Sequence, residues 1–315
     1  MYHVHTTRSD GRGDDAEIAR AAKAAGLDFV VVTDHDHGDA GGSAPTPAQS
    51  RDAHYLDGVL FVYGAERSTP SGHLVVLPGG LSIAAHPTHP RRPWIRWPLD
   101  AGVAGLEILS GDSLFAAALA PPWARLVPAA LAWPLAPDAA LLSLYDRPDA
   151  ALARLDATAE ERPILALCAS DAHGLPDYRH VFGQFVLHAP ESVRAPADAA
   201  EAGRRLVRAI AEGETWCAVE ELGDARGFVF RHDGGRLSAE LPGAPPDASM
   251  RLVCAGHETA LAPATRGLSI VYGDASGGLL RGARACRVEV WRRAPALLSG
   301  ERELPWIFSG PARLH

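Results

Sequence analysis

Short apolar segments alternate with helical stretches through the first two thirds of this 315-residue chain. Strands that alternate with helices favour a mostly parallel sheet, either open or closed into a barrel. The predicted strands cover residues 2–7, 29–36, 60–66, 73–77, 82–87, 105–109, 163–171 and 182–188. The predicted helices cover 14–25, parts of the Ala-, Leu- and Pro-rich region 112–162, and a segment that ends near Gly213. The sequence therefore predicts an α/β fold for this part of the chain.

The pattern changes after about residue 222. Short strand-like runs follow one another, separated by Gly, Pro and Asp, and helical periodicity is absent. These runs cover 227–232, 236–241, 249–255, 268–272, 286–293 and 305–310. We therefore predict two domains, an α/β domain over 1–221 and a small all-β sandwich over 222–315.

Composition excludes several classes of protein. Hydrophobic residues make up 47% of the chain, enough for a sizeable core, and the net charge of −8 is unlike the basic surface of a protein held on nucleic acid. The apolar region 114–145 is interrupted by prolines and charged residues, so we expect no membrane helix there. The cysteines form no CxxC pair, which predicts buried thiols in a reducing compartment and a cytoplasmic location. These cysteines are Cys168, Cys217, Cys254 and Cys286.

Polar residues with metal-binding chemistry lie along and at the ends of the predicted strands. His3 and His5 are two residues apart on the first strand, so their side chains point to the same side. The carboxyl ends of strands in α/β folds are where catalytic groups converge. The candidate ligands are His3, His5, Asp10, His35, Glu66, His73, His86, Asp171 and His173.

This set of residues suits hydrolysis by several metal ions. Imidazole and carboxylate ligands without thiolate suit Zn, Mn or Fe. Nine ligands exceed the four of a closed single site, which predicts two to three divalent ions. A carboxylate such as Glu66 can bridge two ions that share a hydroxide nucleophile.

The motifs HVHTTRSDG, TDHD, GAE…GH, AHP and ASDAHG resemble, in order and strand context, those of the polymerase and histidinol phosphatase (PHP) metallohydrolases. The resemblance covers about residues 2–215 and implies a distorted (β/α)7 barrel with three metals. It implies a first metal at His3, His5, Glu66 and Asp171, a second at Glu66, His73 and His86, and a third at Asp10, His35 and His173. The region after 215 resembles the C-terminal sandwich of carbaryl-hydrolase-like proteins.

Three further residues are candidates for catalysis. Arg8 lies between the first ligands and Asp10, and a guanidinium suits phosphate oxygens bidentately. His37 and His89 lie in loops that follow strands, where either could protonate a leaving group. Each of these two histidines is equally well explained as an exposed loop residue.

The roles of the neighbouring polar residues are less specific. Asp34 and Glu107 are candidates for hydrogen bonds that orient the ligands, with a buried cap or a plain strand-end carboxylate as the alternative. Arg91 and Arg92 suit either an anion or a solvated surface, and His180 either borders the pocket or lies outside it.

The sequence predicts a metal-dependent phosphoesterase that hydrolyses a small phosphorylated substrate. One alternative is an ester, carbamate or amide hydrolase that uses the same metal site. The other is a non-catalytic, metal-stabilised binding module. The acidic balance offers no extended track for nucleic acid, and no membrane partner is expected.

Overall fold

The computed structural model describes residues 1–36, 53–121, 123–194, 198–233, 235–271, 280, 282–296 and 300–314. In these ranges the chain has a mixed α/β fold with seven α-helices and four β-sheets. His37, one of the candidate catalytic residues, lies outside the described residues.

The first sheet contains four strands in the order β1-β2-β4-β3. They are β1 (Tyr2–Val4), β2 (Phe29–Val32), β3 (Ala53–Leu56) and β4 (Val59–Tyr63). The pairs β1–β2 and β2–β4 are parallel, and β3 pairs antiparallel with β4 through a tight hairpin. Asp57 and Gly58 both have positive φ in this hairpin, as a type I′ turn requires. Helix α1 (Asp15–Ala24) follows β1 and agrees with the predicted helix over 14–25. It begins at a capping box formed by Asp14 and Glu17.

The second sheet contains five strands in sequence order. They are β5 (Ala65–Thr69), β6 (Gly72–Val76), β7 (Ser82–Ala84), β8 (Gly105–Ser110) and β9 (Leu165–Ala169). The pairs from β5 to β7 are antiparallel, and the pairs from β7 to β9 are parallel. Isolated parallel bridges, Val4↔Ala172 and His35↔Glu66, join this sheet to the first at both of its edges.

A (β/α)7 barrel, which the family resemblance implied, is not shown by this architecture. The reason is local, because β5, β6 and β7 are joined by short connections instead of helices and therefore run antiparallel.

The remaining helices lie between or after the strands of the second sheet. Region 112–162 is largely helical, as predicted, and contains α2 (Gly111–Ala118), α3 (Leu126–Ala132), α4 (Pro137–Leu144) and α5 (Asp149–Glu161). The helices that follow β9 are α6 (Tyr178–Val181) and α7 (Ala199–Ala211). No helix among the described residues is long and apolar enough to cross a membrane.

All strand pairs of the remaining two sheets are antiparallel. The third sheet has the order β10-β11-β18-β17-β14-β15, with β19 on β17, and the fourth has the order β12-β13-β16. The strands are β10 (Phe185–His188), β11 (Trp216–Val219), β12 (Val229–Asp233), β13 (Arg236–Glu240), β14 (Ser249–Cys254), β15 (His257–Pro263), β16 (Leu268–Val271), β17 (Ala285–Ala296), β18 (Gly300–Ser309) and β19 (Ala312–Arg313). Because β10 and β11 belong to the third sheet, one sheet continues across residue 221. The division into 1–221 and 222–315 stays a prediction.

A buried ion network joins β17 to α5 and to the loop before it. Arg287 contacts Asp156 through two nitrogens, at 2.7 and 2.9 Å, and also donates to Glu289. Arg147 donates to both oxygens of the same Glu289. We call these four residues the ion network. Arg287 and Glu289 are each only 1% exposed, so this central pair is shielded from water, whereas Arg147 and Asp156 are partly exposed.

Two of the four cysteines differ from the prediction. Cys254 and Cys286 form a disulfide, whereas Cys168 and Cys217 are buried free thiols. The two bonded cysteines are separated by 32 positions in the sequence, and they meet because β14 and β17 pair antiparallel with Cys254 directly opposite Cys286. Disulfides are typical of oxidising compartments, so the cysteines do not support the expected cytoplasmic location.

Candidate metal centre

The innermost group of donors contains His3, His5, Glu66 and Asp171. The two histidines leave β1 on the same side, and their Nε2 atoms lie 3.1 Å apart. Glu66 Oε2 and Asp171 Oδ1 each lie 3.3–3.4 Å from both of these nitrogens. All four residues are buried, so their four donor atoms converge on one interior point.

A second group lies nearer the surface and contains His5, Asp10, His35 and His173. Asp10 lies 3.4 Å from His5 Nδ1, 3.4 Å from His35 Nε2 and 3.3 Å from His173 Nε2. His5 therefore faces the inner group with Nε2 and this outer group with Nδ1. Asp10 is half exposed, so this group is open to solvent.

Glu66 also connects the inner group to a third set of imidazoles. Its Oε2 lies 3.2 Å from His35, and its Oε1 lies 2.8 Å from His73 and 3.0 Å from His86. His35, Glu66 and His73 form a compact group of donors, and His86 approaches the same carboxylate from the end of β7. The two oxygens of Glu66 thus face different sets of histidines.

The donor set fits divalent transition-metal ions. Imidazole nitrogens and carboxylate oxygens bind Zn, Mn or Fe, and Zn binds both types of donor at about 2.0–2.2 Å. Four donors arranged tetrahedrally at that distance are separated by about 3.3 Å. Five of the six separations in the inner group are 3.1–3.4 Å. The residues are therefore spaced as one common ion requires.

Glu107 on β8 orients two of these histidines. Its Oε1 lies 2.7 Å from His3 Nδ1, and its Oε2 accepts a hydrogen bond of 2.6 Å from the backbone N–H of His86. A neutral His3 that donates through Nδ1 keeps Nε2 unprotonated and aimed at the inner group. The sequence alone is consistent with either this role or a plain strand-end carboxylate for Glu107. The contacts with His3 and His86 support the orienting role.

Backbone strain is concentrated at the same residues. His3, His86 and Asp171 have φ of 63°, 31° and 51°, three of the six positive values found at non-glycine residues in the described chain. Positive φ is costly for a residue with a side chain, and such strain clusters at functional sites. The backbone therefore supports a functional role for these positions independently of their chemistry.

Asp34 holds the turn that carries Asp10. Its carboxylate accepts hydrogen bonds from the Thr6 N–H and hydroxyl, at 2.7 and 2.8 Å, and from the Ser9 hydroxyl at 2.7 Å. Arg8 donates to Asp34 at 3.1 Å and makes a bidentate pair with Asp15 at 2.9 Å. In this structure the Arg8 guanidinium is thus bound to carboxylates of the chain itself.

The remaining candidates lie around the centre. His89 is buried, its Nδ1 accepts from the Arg91 and Arg92 backbone N–H groups, and its Nε2 lies 3.1 Å from Asp112. Both of its ring nitrogens therefore have partners in the chain. His180 lies 3.2 Å from Asp138.

Sequence reasoning missed two residues that support the ligands from behind. The hydroxyl of Tyr178 donates to the His5 carbonyl at 2.8 Å, and that of Ser170 donates to the His3 carbonyl at 3.0 Å. Ser170 immediately precedes Asp171 in a quoted motif and could have been noticed there. Tyr178 carried no signal in the sequence.

The charges of the centre are unbalanced. Burial would lower the pKa of His5, but hydrogen bonds to Asp171 and Glu66 outweigh it and raise the pKa to about 9. Burial would raise the pKa of Glu66, but the surrounding histidines hold it well below its usual range. Among the described residues, no lysine or arginine pairs with Glu66, Glu107 or Asp171. The centre therefore attracts cations, either protons on imidazole or metal ions.

The chain matches no family model and no curated protein. It is similar to a solved structure from Bacteroides vulgatus ATCC 8482, described as a two-domain protein containing a predicted PHP-like metal-dependent phosphoesterase. The two chains are 16% identical with a TM-score of 0.39, and the similarity covers 96% of this chain and 93% of that one. Values this low do not establish a shared fold.

Proposed function

We propose that this chain is a metal-dependent phosphoesterase that acts on a small phosphorylated substrate with two to three divalent ions of Zn, Mn or Fe. The observation that carries the proposal is Glu66, a buried carboxylate whose oxygens lie within 2.8–3.4 Å of five histidines. One carboxylate shared by several sets of donors suits a centre with more than one ion. Several ions in turn suit phosphoryl transfer, where charge is spread over several oxygens.

The residues of the candidate site would have two kinds of role, binding ions and orienting the ligands. Divalent ions, when bound, would supply Lewis acidity, positive charge and a water nucleophile at neutral pH. His3, His5, Glu66 and Asp171 would hold one ion, His73 and His86 with Glu66 a second, and Asp10, His35 and His173 a third. Glu107 keeps His3 in the tautomer that presents Nε2, and Asp34 keeps the turn of Asp10 in place.

Two residues are candidates for the proton donor to the leaving group. His37 and His89 remain our candidates. In the present geometry the Nδ1 of His89 accepts from backbone N–H groups and its Nε2 faces Asp112, so His89 would have to leave Asp112 before it could protonate a leaving group.

We infer membership of the PHP family and a distorted barrel from the motifs and from the strand contacts. The two bridges that join the first and second sheets at both edges support a closed ring of strands around the centre. The antiparallel strands after residue 222 support the proposed sandwich domain.

A second candidate function is the hydrolysis of an ester, carbamate or amide. The observation that favours it is the pairing of Arg8 with Asp15 and Asp34. These contacts use the guanidinium N–H groups that would otherwise bind a substrate phosphate bidentately.

The test is a substrate panel with the protein loaded separately with Mn, Fe and Zn. The panel contains phosphomonoesters, phosphodiesters, carboxyl esters and carbamates, and each rate is compared with that of Glu66→Gln. We expect turnover of a phosphoester that is lost in the variant. Turnover of carboxyl esters or carbamates alone would replace the first function by the second, and no metal-dependent turnover would reject both.

A further inference from the structure

The side chain of Tyr178 contacts the segment that carries part of the outer group of donors. Its hydroxyl donates to the His5 carbonyl at 2.8 Å and accepts from the Gly13 N–H at 3.3 Å. Tyr178 is only 6% exposed, so both hydrogen bonds are shielded from water. Because a buried backbone group that loses its partner is costly, this one hydroxyl fixes both ends of segment 5–13.

Segment 5–13 forms a closed loop that carries Asp10. The Thr7 N–H donates to the Gly13 carbonyl at 3.0 Å, so the two arms of the loop are joined near its base. Asp10 lies beyond this bond and is half exposed. The position of its carboxylate therefore depends on where the base of the loop is held.

The ring of Tyr178 also contacts the second loop of the outer group, which carries His173. A Cβ on Gly174 would lie 2.7 Å from the ring, and a Cβ on Gly13 would lie 2.7 Å from the same edge, too close for either position to carry a side chain. The ring therefore packs directly against the backbone of both loops. The Arg12 N–H joins the two loops by donating to the His173 carbonyl at 3.0 Å.

These two loops supply most of the outer group. Three of its four donors, His5, Asp10 and His173, belong to them, and the fourth is His35 after β2. The rings of His5 and His173 are stacked, with centroids 4.3 Å apart and planes inclined by 12°. A shift of either loop would therefore change the separation of the outer donors.

The inner group has supports of its own. His3 and Glu66 lie on β1 and β5, strands of two different sheets. The Ser170 hydroxyl donates to the His3 carbonyl at 3.0 Å, and Glu107 lies 2.7 Å from His3 Nδ1. None of these contacts involves α6. The inner group therefore depends mainly on strands, whereas the outer group depends on loops that Tyr178 holds.

We propose that Tyr178 is a positioning residue for the outer group, which sets the affinity for an outer ion through the backbone of His5 and the loop of His173. The inference rests on the metal centre of the proposed function, because it requires an ion in the outer group. It makes the outer ion the one that the chain can lose while the others stay bound. Partners behind metal ligands typically change metal affinity 10–100-fold.

The test is a competition titration of the full, metal-loaded chain with a chelator, with elemental analysis at each step. Asp10→Ala identifies the outer ion, because Asp10 is a donor of the outer group alone. Tyr178→Phe keeps the ring and removes only the hydroxyl. We expect it to weaken binding of the ion that Asp10→Ala loses 10–100-fold, and to leave the affinity for the other ions within about twofold.

The matched control is Tyr145→Phe. Tyr145 is also buried, and its hydroxyl donates to a backbone carbonyl, that of Pro305, at 2.7 Å. The same atom is removed from the same kind of bond, but this bond joins the end of α4 to β18 instead of holding a ligand. All metal affinities should therefore stay within about twofold of the native values. Circular dichroism should be unchanged in both variants, because the rings are retained.

The double variant Asp10→Ala/Tyr178→Phe separates positioning from a general loss of structure. The outer ion is already lost in Asp10→Ala, so the hydroxyl should have no further effect on the remaining ions. A further loss in the double variant would overturn the proposal, and so would equal outer affinity in Tyr178→Phe and the native chain.

Failure of this inference is distinguishable from failure of the proposed function. A native chain with no ion that Asp10→Ala loses would overturn the inference together with the third ion of the proposed function. The expected affinities in a chain that hydrolyses no phosphoester would support the inference and reject only the phosphoesterase.

Discussion

Two buried clusters of charged and titratable side chains lie in this chain, and they balance their charge differently. The four residues of the ion network are two arginines and two carboxylates, whose formal charges sum to zero, and Arg147 also pairs with the exposed Asp149. The metal centre contains three buried carboxylates, Glu66, Glu107 and Asp171, and its other buried donors are imidazoles. An imidazole is positive only when it is protonated, so the carboxylates of the centre are balanced only by bound protons or metal ions. The paired charges of the network offset one another, whereas the centre attracts added cations, either protons or metal ions.

The two clusters also differ in backbone strain. Three residues at the metal centre have positive φ, and none of the four network residues does. Strain of this kind persists only where the surrounding structure enforces it, and it clusters at functional sites. Unbalanced charge and strain together indicate function, and balanced charge on relaxed backbone indicates packing of one element against another.

Removal of one charge from the metal centre should have the largest effect. In Glu66→Gln the five neighbouring histidines lose the carboxylate that they share, so the donor groups no longer hold adjacent ions. We expect turnover to fall by two to four orders of magnitude, as is typical for the loss of a central catalytic group. Steady-state kinetics and elemental analysis of the purified variant measure this effect.

The ion network supplies the matched control for that experiment. Glu289→Gln makes the same change, carboxylate to amide, at another residue with 1% exposure. Turnover and metal content should stay within about twofold of the native values. A loss of activity in Glu289→Gln as large as that in Glu66→Gln would contradict the division between the two clusters.

The same Glu289→Gln variant should instead lose stability. Arg147 and Arg287 both donate to Glu289, and the change leaves the buried guanidinium of Arg287 and the partly buried one of Arg147 with one carboxylate fewer. Breaking a buried pair in this way costs about 3 kcal/mol of unfolding free energy. Urea unfolding of native and variant chains at equal metal loading measures it, and equal midpoints would show that the network does not stabilise the fold.

Much of the metal centre could be predicted from the sequence, because local rules place its residues. The two-residue period of a strand puts His3 and His5 side by side, and the strand-end rule directs His86 and Asp171 to a common place. Glu66, predicted to end the strand over 60–66, is instead the second residue of β5. The structure brings these side chains within hydrogen-bonding distances of one another. The resemblance of the motifs to those of the PHP family indicates the same residues.

Long-range pairing, in contrast, could not be predicted. Asp156 and Arg287 are 131 residues apart, and nothing local connects them. The Cys254–Cys286 disulfide depends on the register of β14 on β17, which no motif encodes. The sequence suggests Arg8 for a substrate phosphate because it does not reveal that Asp15 and Asp34 lie close enough to bind it.

A smaller effect is expected when a residue behind the ligands is changed. In Glu107→Gln the side chain still reaches His86, but its amide accepts more weakly from His3 Nδ1 and no longer fixes the tautomer. Loss of such a partner typically lowers metal affinity 10–100-fold. Competition titration with a chelator measures the affinity, and Glu289→Gln again serves as the buried control. An unchanged affinity in Glu107→Gln would remove it from the metal centre.

The smallest effect is a dependence of stability on pH, and it belongs to the ion network. Burial would raise the pKa of Glu289, but hydrogen bonds from Arg147 and the charge of Arg287 hold it below its usual value. A carboxylate with a lowered pKa contributes stability that is present above its unfolded pKa of about 4.3 and is lost as the pH falls through the folded value. The difference in unfolding free energy between the native chain and Glu289→Gln should therefore be constant from neutral pH to about 4.5 and shrink below it. Release of metal in acid affects both chains equally, so it cancels in this difference. Unfolding curves at a series of pH values measure it, and a difference that grows as the pH falls would show that the network does not hold Glu289 ionised.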